Sequence, residues 1–104
     1  MPAQQDSNVR IAFGRIVRDL RQRLGLSQEE LGERAELHRT YISMVERGIK
    51  TPTVVTLVDL ARALETTTGA VMTLLDRELT DDRLVTDLDP NRAEGRETEG
   101  TQLR

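Results

Sequence analysis

Three adjacent residues that can form hydrogen bonds, Arg39, Thr40 and Tyr41, begin a short stretch whose apolar pattern uses none of them. The apolar residues Ile42 and Val45 follow at helical spacing, which puts the three at the front of a short helix. A guanidinium can donate two parallel hydrogen bonds to guanine, and threonine presents a hydroxyl and a methyl to other base edges. These residue types therefore predict a DNA-reading surface, with an ordinary solvated helix face as the alternative.

A second helix must precede this one to hold it in place. Ser27 with Glu30 three residues later has the pattern of a capping box and predicts a helix start. That helix breaks near residues 36–37, the next runs from about 39 to 46, and Gly48 ends it. Two short helices joined by a tight corner are typical of the helix-turn-helix, whose second helix enters the major groove.

Apolar stripes at three- and four-residue steps predict three further helices, one before this pair and two after it. They run over about residues 9–24, 53–64 and 68–79. The sequence indicates no strand and no internal repeat, so the expected fold is all-α with five helices. Aromatic residues make up only 2% of the chain, which predicts an aliphatic core.

Composition argues against several classes of function. With no cysteine and a single histidine, His38, we expect no disulfide and no metal site. There is no Gly-rich phosphate loop, so we expect neither an enzyme nor a cofactor. No apolar run reaches the roughly 18–20 residues of a membrane span, and the N-terminus carries no apolar signal region. The expected location is the cytoplasm, at the nucleoid.

Charge is divided unevenly along the chain. The net charge of −3 lies entirely in residues 80–104, whereas residues 10–50 have a surplus of basic residues. This favours an anionic partner for the first half. We predict a flexible arm over residues 1–8, a DNA-binding domain over 9–79 with its helix-turn-helix at 27–47, and a disordered acidic tail over 80–104. In the alternative, Leu84, Val85 and Leu88 extend the fifth helix.

The string "LSQEELGERAELHRTYISMVERG", followed by "PTVVTLVDLARALETTTGAVMTLL", resembles the Cro/phage-repressor type of helix-turn-helix, the XRE family. The resemblance spans roughly residues 10–76 and implies a lambda-repressor-like domain. The shorter string "RTYIS" resembles the recognition helix of restriction–modification controller proteins. Three residues depart from the family pattern: Glu36 and Glu65 stand where glycine is usual, and His38 is a poor helix cap.

The resemblance implies DNA contacts at eight positions: Gln28, Arg39, Thr40, Tyr41, Ser43, Met44, Arg47 and Lys50. Arg39 and Thr40 would read bases, Met44 a thymine methyl, and Gln28 a phosphate. As alternatives, Gln28 is a second capping residue, Tyr41 packs on a neighbour, and Met44 is partly core. The resemblance also implies a structural ion pair between Arg21 and Glu46.

The fifth helix has more apolar positions than one side of a small domain needs. In the family this region often forms a twofold interface, so we expect a homodimer that uses Val71, Met72, Leu74, Leu75 and Leu79. Two modules one helical turn apart would read a palindromic site. The alternative is that these residues only complete the monomer core.

The sequence therefore predicts a transcriptional regulator, a repressor or an activator, that binds double-stranded operator DNA. RNA polymerase or another protein is a further candidate partner, with Glu29, Glu33 and Glu36 as an exposed acidic face. The rival hypothesis is an antitoxin-like interaction module that binds a protein through its acidic tail.

Overall fold

Residues 3–87 are described by the computed structural model, which gives side-chain burial over residues 6–80. Within this part the chain forms five helices and no strand, which confirms the all-α prediction. The helices are α1 (Ala3–Arg23), α2 (Gln28–Ala35), α3 (Arg39–Glu46), α4 (Val54–Ala63) and α5 (Thr68–Asp87). None of them combines the length and apolarity needed to cross a membrane.

One core joins all five helices, and its buried side chains are aliphatic except for Phe13. α1 packs against α3 and α5, α2 against α3 and α4, and α4 also against α5. The largest fully buried side chains come from every helix: Val17, Leu31, Ile42, Val45, Leu60 and Val71. Burial of each such side chain contributes about 1.5–3 kcal/mol, so the core fixes how α2 and α3 sit on the rest.

The capping box at the start of α2 is present as the sequence predicted. The Ser27 hydroxyl accepts from the Glu30 N–H at 3.0 Å, and the Glu30 carboxylate accepts from the Ser27 N–H at 2.8 Å. Two backbone N–H donors that water would otherwise satisfy are thus paired within the protein. A cap of this kind stabilises a helix by about 1 kcal/mol.

α1 begins earlier than predicted. The sequence led us to expect a flexible arm over residues 1–8, but residues 3–8 belong to α1. Alanine and glutamine at its start are good helix formers. Arg10 also holds this part of the helix, because Nη2 donates to Ser7 Oγ and Nε donates to the Gly48 carbonyl, each at 3.1 Å. Residues 1 and 2 lie outside the described part.

α5 ends later than predicted. We expected the domain to stop at residue 79, yet the helix continues to Asp87, as the alternative with an extended fifth helix proposed. Residues 80–87 contain neither glycine nor proline, so nothing in their sequence stops the helix before Pro90. The rest of the predicted tail, residues 88–104, lies outside the described residues.

The corner between α2 and α3 is tight. Glu36 has φ 59° and ψ 44°, in the left-handed region where the family pattern has glycine. The Leu37 N–H donates to the Gly32 carbonyl at 2.8 Å. A Cβ at Gly32 would lie 2.5 Å from the Leu37 carbonyl oxygen, so only glycine fits there. This corner sets the direction in which α3 leaves α2.

Candidate nucleic-acid interface

α3 has a fully buried back and an exposed front. Ile42 and Val45 are both 0% exposed, which fixes the helix to the core. Arg39 and Thr40 are exposed at its first turn. Among the described residues, neither side chain forms a hydrogen bond or an ion pair. Their donors and acceptors are therefore available to an external ligand.

His38 caps the front of α3. We expected it to cap poorly, but its Nδ1 accepts from the Thr40 N–H at 3.0 Å. Its backbone is extended, with φ −71° and ψ 144°, as an N-cap residue requires. The expectation failed because it used residue frequencies and ignored that histidine, like asparagine, has an acceptor within reach.

Tyr41 is half-buried and packs against the core. Desolvation raises the pKa of its phenol above the usual value. The ring thus has a packing role, which was the alternative to DNA contact. A DNA contact by the hydroxyl group stays a prediction.

The second turn of α3 and the following loop are held by local hydrogen bonds. Arg47 Nε donates to Ser43 Oγ at 3.2 Å. The Met44 carbonyl accepts from the N–H groups of Ile49 at 2.9 Å and Lys50 at 3.3 Å. Ser43 and Met44 are half-buried, while Arg47 and Lys50 are exposed. Two cationic side chains therefore project from an ordered segment just after α3.

Arg21 and Glu46 form a bidentate ion pair. Arg21 Nε donates to Glu46 Oε2 at 2.6 Å and Nη2 donates to Oε1 at 2.9 Å. The side chains are 11% and 3% exposed, so this pair is largely shielded from water. The hydrogen bonds to Glu46 raise the pKa of the Arg21 guanidinium. Arg21 Nη1 also donates to the Leu26 carbonyl at 2.7 Å, which ties the end of α1 to the start of α2.

Gln28 joins this ion pair, a contact that sequence reasoning missed. Its Nε2 donates to Glu46 Oε1 at 3.0 Å. The two residues are far apart in sequence and lie on different helices, so no local pattern predicts the contact. Gln28 is half-buried and is the first residue of α2.

The residues predicted to form a dimer interface on α5 are only partly available. Val71 is 2% exposed, so its side chain belongs to the monomer core rather than to a free surface. Met72, Leu74 and Leu75 are half-buried against that core, and Leu79 is half-buried. Periodicity could not separate these cases, because core and interface positions share one apolar stripe.

Acidic side chains lie beside the front of α3. Glu29, Glu33 and Glu36 are exposed and line an open groove at the corner, together with His38 and Arg39. In the described part of the chain, no cluster of histidine and carboxylate side chains is suited to hold a metal ion. The three carboxylates give the domain a negatively charged surface beside the first turn of α3, where Arg39 lies.

Comparisons with known proteins point to one family. A helix-turn-helix family model matches residues 17–71. The control protein C.SmaI of Serratia marcescens is 47% identical over 57 residues, which are 55% of this chain and 68% of that protein. The two matches are to a helix-turn-helix family and to a control protein rather than to an enzyme, in agreement with the prediction.

Two solved structures are also similar. The restriction–modification controller protein C.AhdI from Aeromonas hydrophila has 38% identity and a TM-score of 0.57, with 59% of this chain and 88% of that chain covered. The controller protein C.Esp1396I, solved as a tetramer with its natural 35-base-pair operator, has 27% identity and a TM-score of 0.63. That match covers 68% of this chain and 93% of the other.

Proposed function

Because this chain belongs to the helix-turn-helix family that its residues 17–71 match, we propose that it is a transcriptional regulator that binds operator DNA through α3. One observation carries the proposal: α3 is anchored by two side chains that are 0% exposed, while the side chains of Arg39 and Thr40 are exposed and form no hydrogen bond or ion pair among the described residues. The operator complex of the similar controller C.Esp1396I supports it. Such a regulator acts in the cytoplasm, at the nucleoid.

In the proposed complex, α3 enters the major groove with its first turn toward the bases. Arg39 donates two hydrogen bonds to a guanine, and Thr40 contacts a neighbouring base with its hydroxyl or methyl group. Met44, one turn later, meets a thymine methyl group. The exposed front of α3 and the cap at His38 support this arrangement.

Phosphate contacts set the register of α3 in the groove. We assign them to Gln28, Ser43, Arg47 and Lys50, with the Tyr41 hydroxyl reaching a phosphate or a flanking base. Arg47 and Lys50 are exposed cations on the segment that follows α3, which supports the assignment. Each cationic contact releases counterions, so we expect affinity to fall steeply with salt.

We further propose that two copies bind one palindromic site. A single module reads only a few base pairs, and two modules about 34 Å apart supply the specificity that an operator needs. Met72, Leu74, Leu75 and Leu79 would lie at or near the contact between copies, with Val71 behind them in each core. The tetramer of C.Esp1396I on its operator supports assembly of more than one copy.

A protein partner on the promoter, RNA polymerase or another DNA-bound protein, would meet the acidic face of Glu29, Glu33 and Glu36. Their exposure beside the DNA-reading helix supports this role. Activation that is unchanged in Glu33→Lys, with operator binding retained, would contradict it.

The proposed function can be tested by selection from a random pool of DNA duplexes. The selection is run with the wild-type protein and with the variants Arg39→Ala and Arg62→Ala. The control Arg62 is an exposed arginine on α4 outside the proposed interface. We expect an inverted repeat that the control retains. Arg39→Ala should relax the repeat and lose about 1–3 kcal/mol, roughly five- to 150-fold in affinity. Weak, salt-sensitive binding without enrichment for all three proteins would mean that the helix-turn-helix is only a scaffold.

A further inference from the structure

We propose that Glu46 is a positioning residue for DNA binding: its carboxylate holds the Gln28 amide in the orientation that contacts a phosphate. This inference rests on the proposed function, in which Gln28 touches the DNA backbone. The Glu46 side chain is 3% exposed, so it cannot reach DNA itself. Apart from the long-range effect of its charge, any influence on affinity must act through a neighbour.

The geometry fixes the carboxylate first. Glu46 receives two hydrogen bonds from Arg21, one on each oxygen, and this bidentate pairing sets the plane of the carboxylate. Oε1 then accepts a second hydrogen bond, from Gln28 Nε2 at 3.0 Å. Arg21 of α1 therefore holds in place the carboxylate oxygen that accepts from Gln28.

The chemistry of the two groups then fixes the amide. An ionised carboxylate only accepts hydrogen bonds, whereas a glutamine amide has a donating nitrogen and an accepting oxygen. If the amide were reversed, its oxygen would face Glu46 Oε1 and repel it. Nε2 must therefore point toward Glu46, and its second N–H is left for another acceptor.

An oriented donor binds more tightly than a mobile one, because less conformational freedom is lost when the complex forms. Gln28 begins α2, and Glu46 ends α3, so the contact also sets the phosphate-binding residue at a fixed distance from the base-reading helix. Glu46 thus links the two kinds of DNA contact within the helix-turn-helix.

Simple electrostatics predicts the opposite effect on affinity. Glu46→Gln removes a negative charge near the DNA, which by charge alone strengthens binding. A merely structural role would lower the thermal midpoint and leave the affinity of the folded protein unchanged or higher. The positioning role requires weaker binding by a protein that is still folded.

The experiment measures affinity for the selected operator at a temperature where circular dichroism shows each protein folded. We expect Glu46→Gln and Gln28→Ala each to weaken binding about fivefold, the loss of roughly one hydrogen bond. Glutamine at position 46 both donates and accepts, so it no longer forces the Gln28 amide to point one way, and Gln28→Ala removes that amide altogether. Because both changes lose the same oriented donor, the double variant should lose little more than either single one. Asp19→Asn, the same charge change at an exposed residue of α1, is the control and should bind at least as tightly as the wild type.

A variant with the ion pair removed covers the case in which Glu46→Gln does not fold. Replacing both charges, as in Arg21→Met/Glu46→Leu, leaves no unpaired charge in the protein and is often tolerated. In that background Gln28 has lost its acceptor, so we expect the same fivefold weakening. Affinity equal to the wild type in either folded variant, with Gln28→Ala still weaker, would overturn the positioning role.

The free protein supplies a second readout. In the wild type, the Gln28 side-chain amide should give one NMR pair with a slowly exchanging proton and a rigid order parameter, and Glu46→Gln should abolish both. A mobile Gln28 amide in the wild type would overturn the proposal whatever the protein does with DNA. If the wild type selects no operator, the proposed function fails and this role fails with it. If it selects one but the two residues do not couple, only the positioning role fails.

Discussion

At the scale of single residues, the front of α3 depends on a histidine that accepts a backbone hydrogen bond. The Nδ1 of His38 satisfies the Thr40 N–H, one of the amides that a helix start leaves without an intrahelical partner. Thr40 is also a proposed base-reading residue. The cap therefore acts on the part of the helix where orientation matters most for recognition.

Loss of this cap should destabilise the domain. We expect His38→Ala to lower the free energy of unfolding by about 1 kcal/mol, since the side-chain acceptor is lost. His38→Asn keeps an acceptor at this position and should be at least as stable as the wild type. Urea denaturation at neutral pH measures both. Equal midpoints for the alanine and asparagine variants would mean that the hydrogen bond contributes nothing.

The burial of Tyr41 predicts that the stability of the domain falls at alkaline pH. Burial raises the pKa of its phenol in the folded state, and in the unfolded state the phenol titrates near about pH 10. The stability that depends on the protonated phenol is therefore fully present below the pKa of the unfolded state, and it is lost as pH rises through the higher pKa of the folded state. We expect the thermal midpoint to fall less between pH 8 and pH 11 in Tyr41→Phe than in the wild type.

The phenolate absorbance gives a direct check, because the chain contains one tyrosine. The folded protein should ionise at a higher pH than the urea-denatured protein. Coincident titrations in the two states would contradict the burial argument.

At the scale of elements, the corner of the helix-turn-helix has one residue in an unfavourable conformation. Glu36 has φ 59°, which costs an L-residue about 1–2 kcal/mol relative to the right-handed region. Glycine avoids this cost but loses more entropy on folding, about 0.4–1 kcal/mol. The difference leaves a small net gain for glycine at this position.

Two glycine substitutions three residues apart should therefore have opposite effects. We expect Glu36→Gly to raise the free energy of unfolding by about 0.5–1 kcal/mol. Glu33→Gly, in the exposed interior of α2, should lower it by about 1 kcal/mol. Thermal and urea unfolding of the two variants test this. Destabilisation of similar size in both would show that the Glu36 side chain contributes more than its backbone costs.

Local signals predicted the elements that form the site. A capping box, a turn and a terminal glycine gave the bounds of α2 and α3, because each of these signals acts within a few residues. The start of α1 and the end of α5 were wrong, since no strong stop signal lies there. The Gln28–Glu46 contact and the burial of Val71 depend on how distant helices pack, and periodicity does not report that.

Close approach of α1 and α3 is another feature that only the structure reveals. A Cβ on Gly14 would lie 2.5 Å from the Val45 carbonyl oxygen and 2.6 Å from that of Glu46. Glycine at this position lets the backbone of α1 approach the last residues of α3.

At the scale of the whole molecule, the five helices form one packed unit whose last helix contributes to the same core as the first. Val71 is fully buried, and Leu74 and Leu75 pack against the core. The surplus of acidic residues begins after this packed region, in residues 80–104. We therefore expect DNA binding to be separable from the acidic segment along the chain.

Truncation after Asp87 should leave both the fold and DNA binding in place. Residues 88–104 have four acids and three arginines, so their removal changes the net charge little. We expect the operator affinity of residues 1–87 to stay within about twofold of the full-length value at equal salt concentration. Titration of the selected duplex with both proteins measures this. Loss of binding would show that the last residues belong to the DNA-binding unit.

The same truncation distinguishes the proposed DNA-binding function from the rival hypothesis of an antitoxin-like module. If DNA binding is retained but a second effect of the protein in cells disappears, the segment 88–104 has a partner of its own. If neither changes, an antitoxin-like role for that segment is contradicted.

The division of α3 into an anchored back and an unpartnered front has a consequence for how this regulator can diverge. Among the described residues, the side chains of Arg39 and Thr40 form no hydrogen bond or ion pair that stabilises the fold, whereas those of Ile42 and Val45 are fully buried. Random replacement at the first two positions should leave most members of a library folded, and the same replacement at the last two should not. New operator preferences can therefore arise by gradual mutation, because the base-reading residues can change while the fold that positions α3 stays the same.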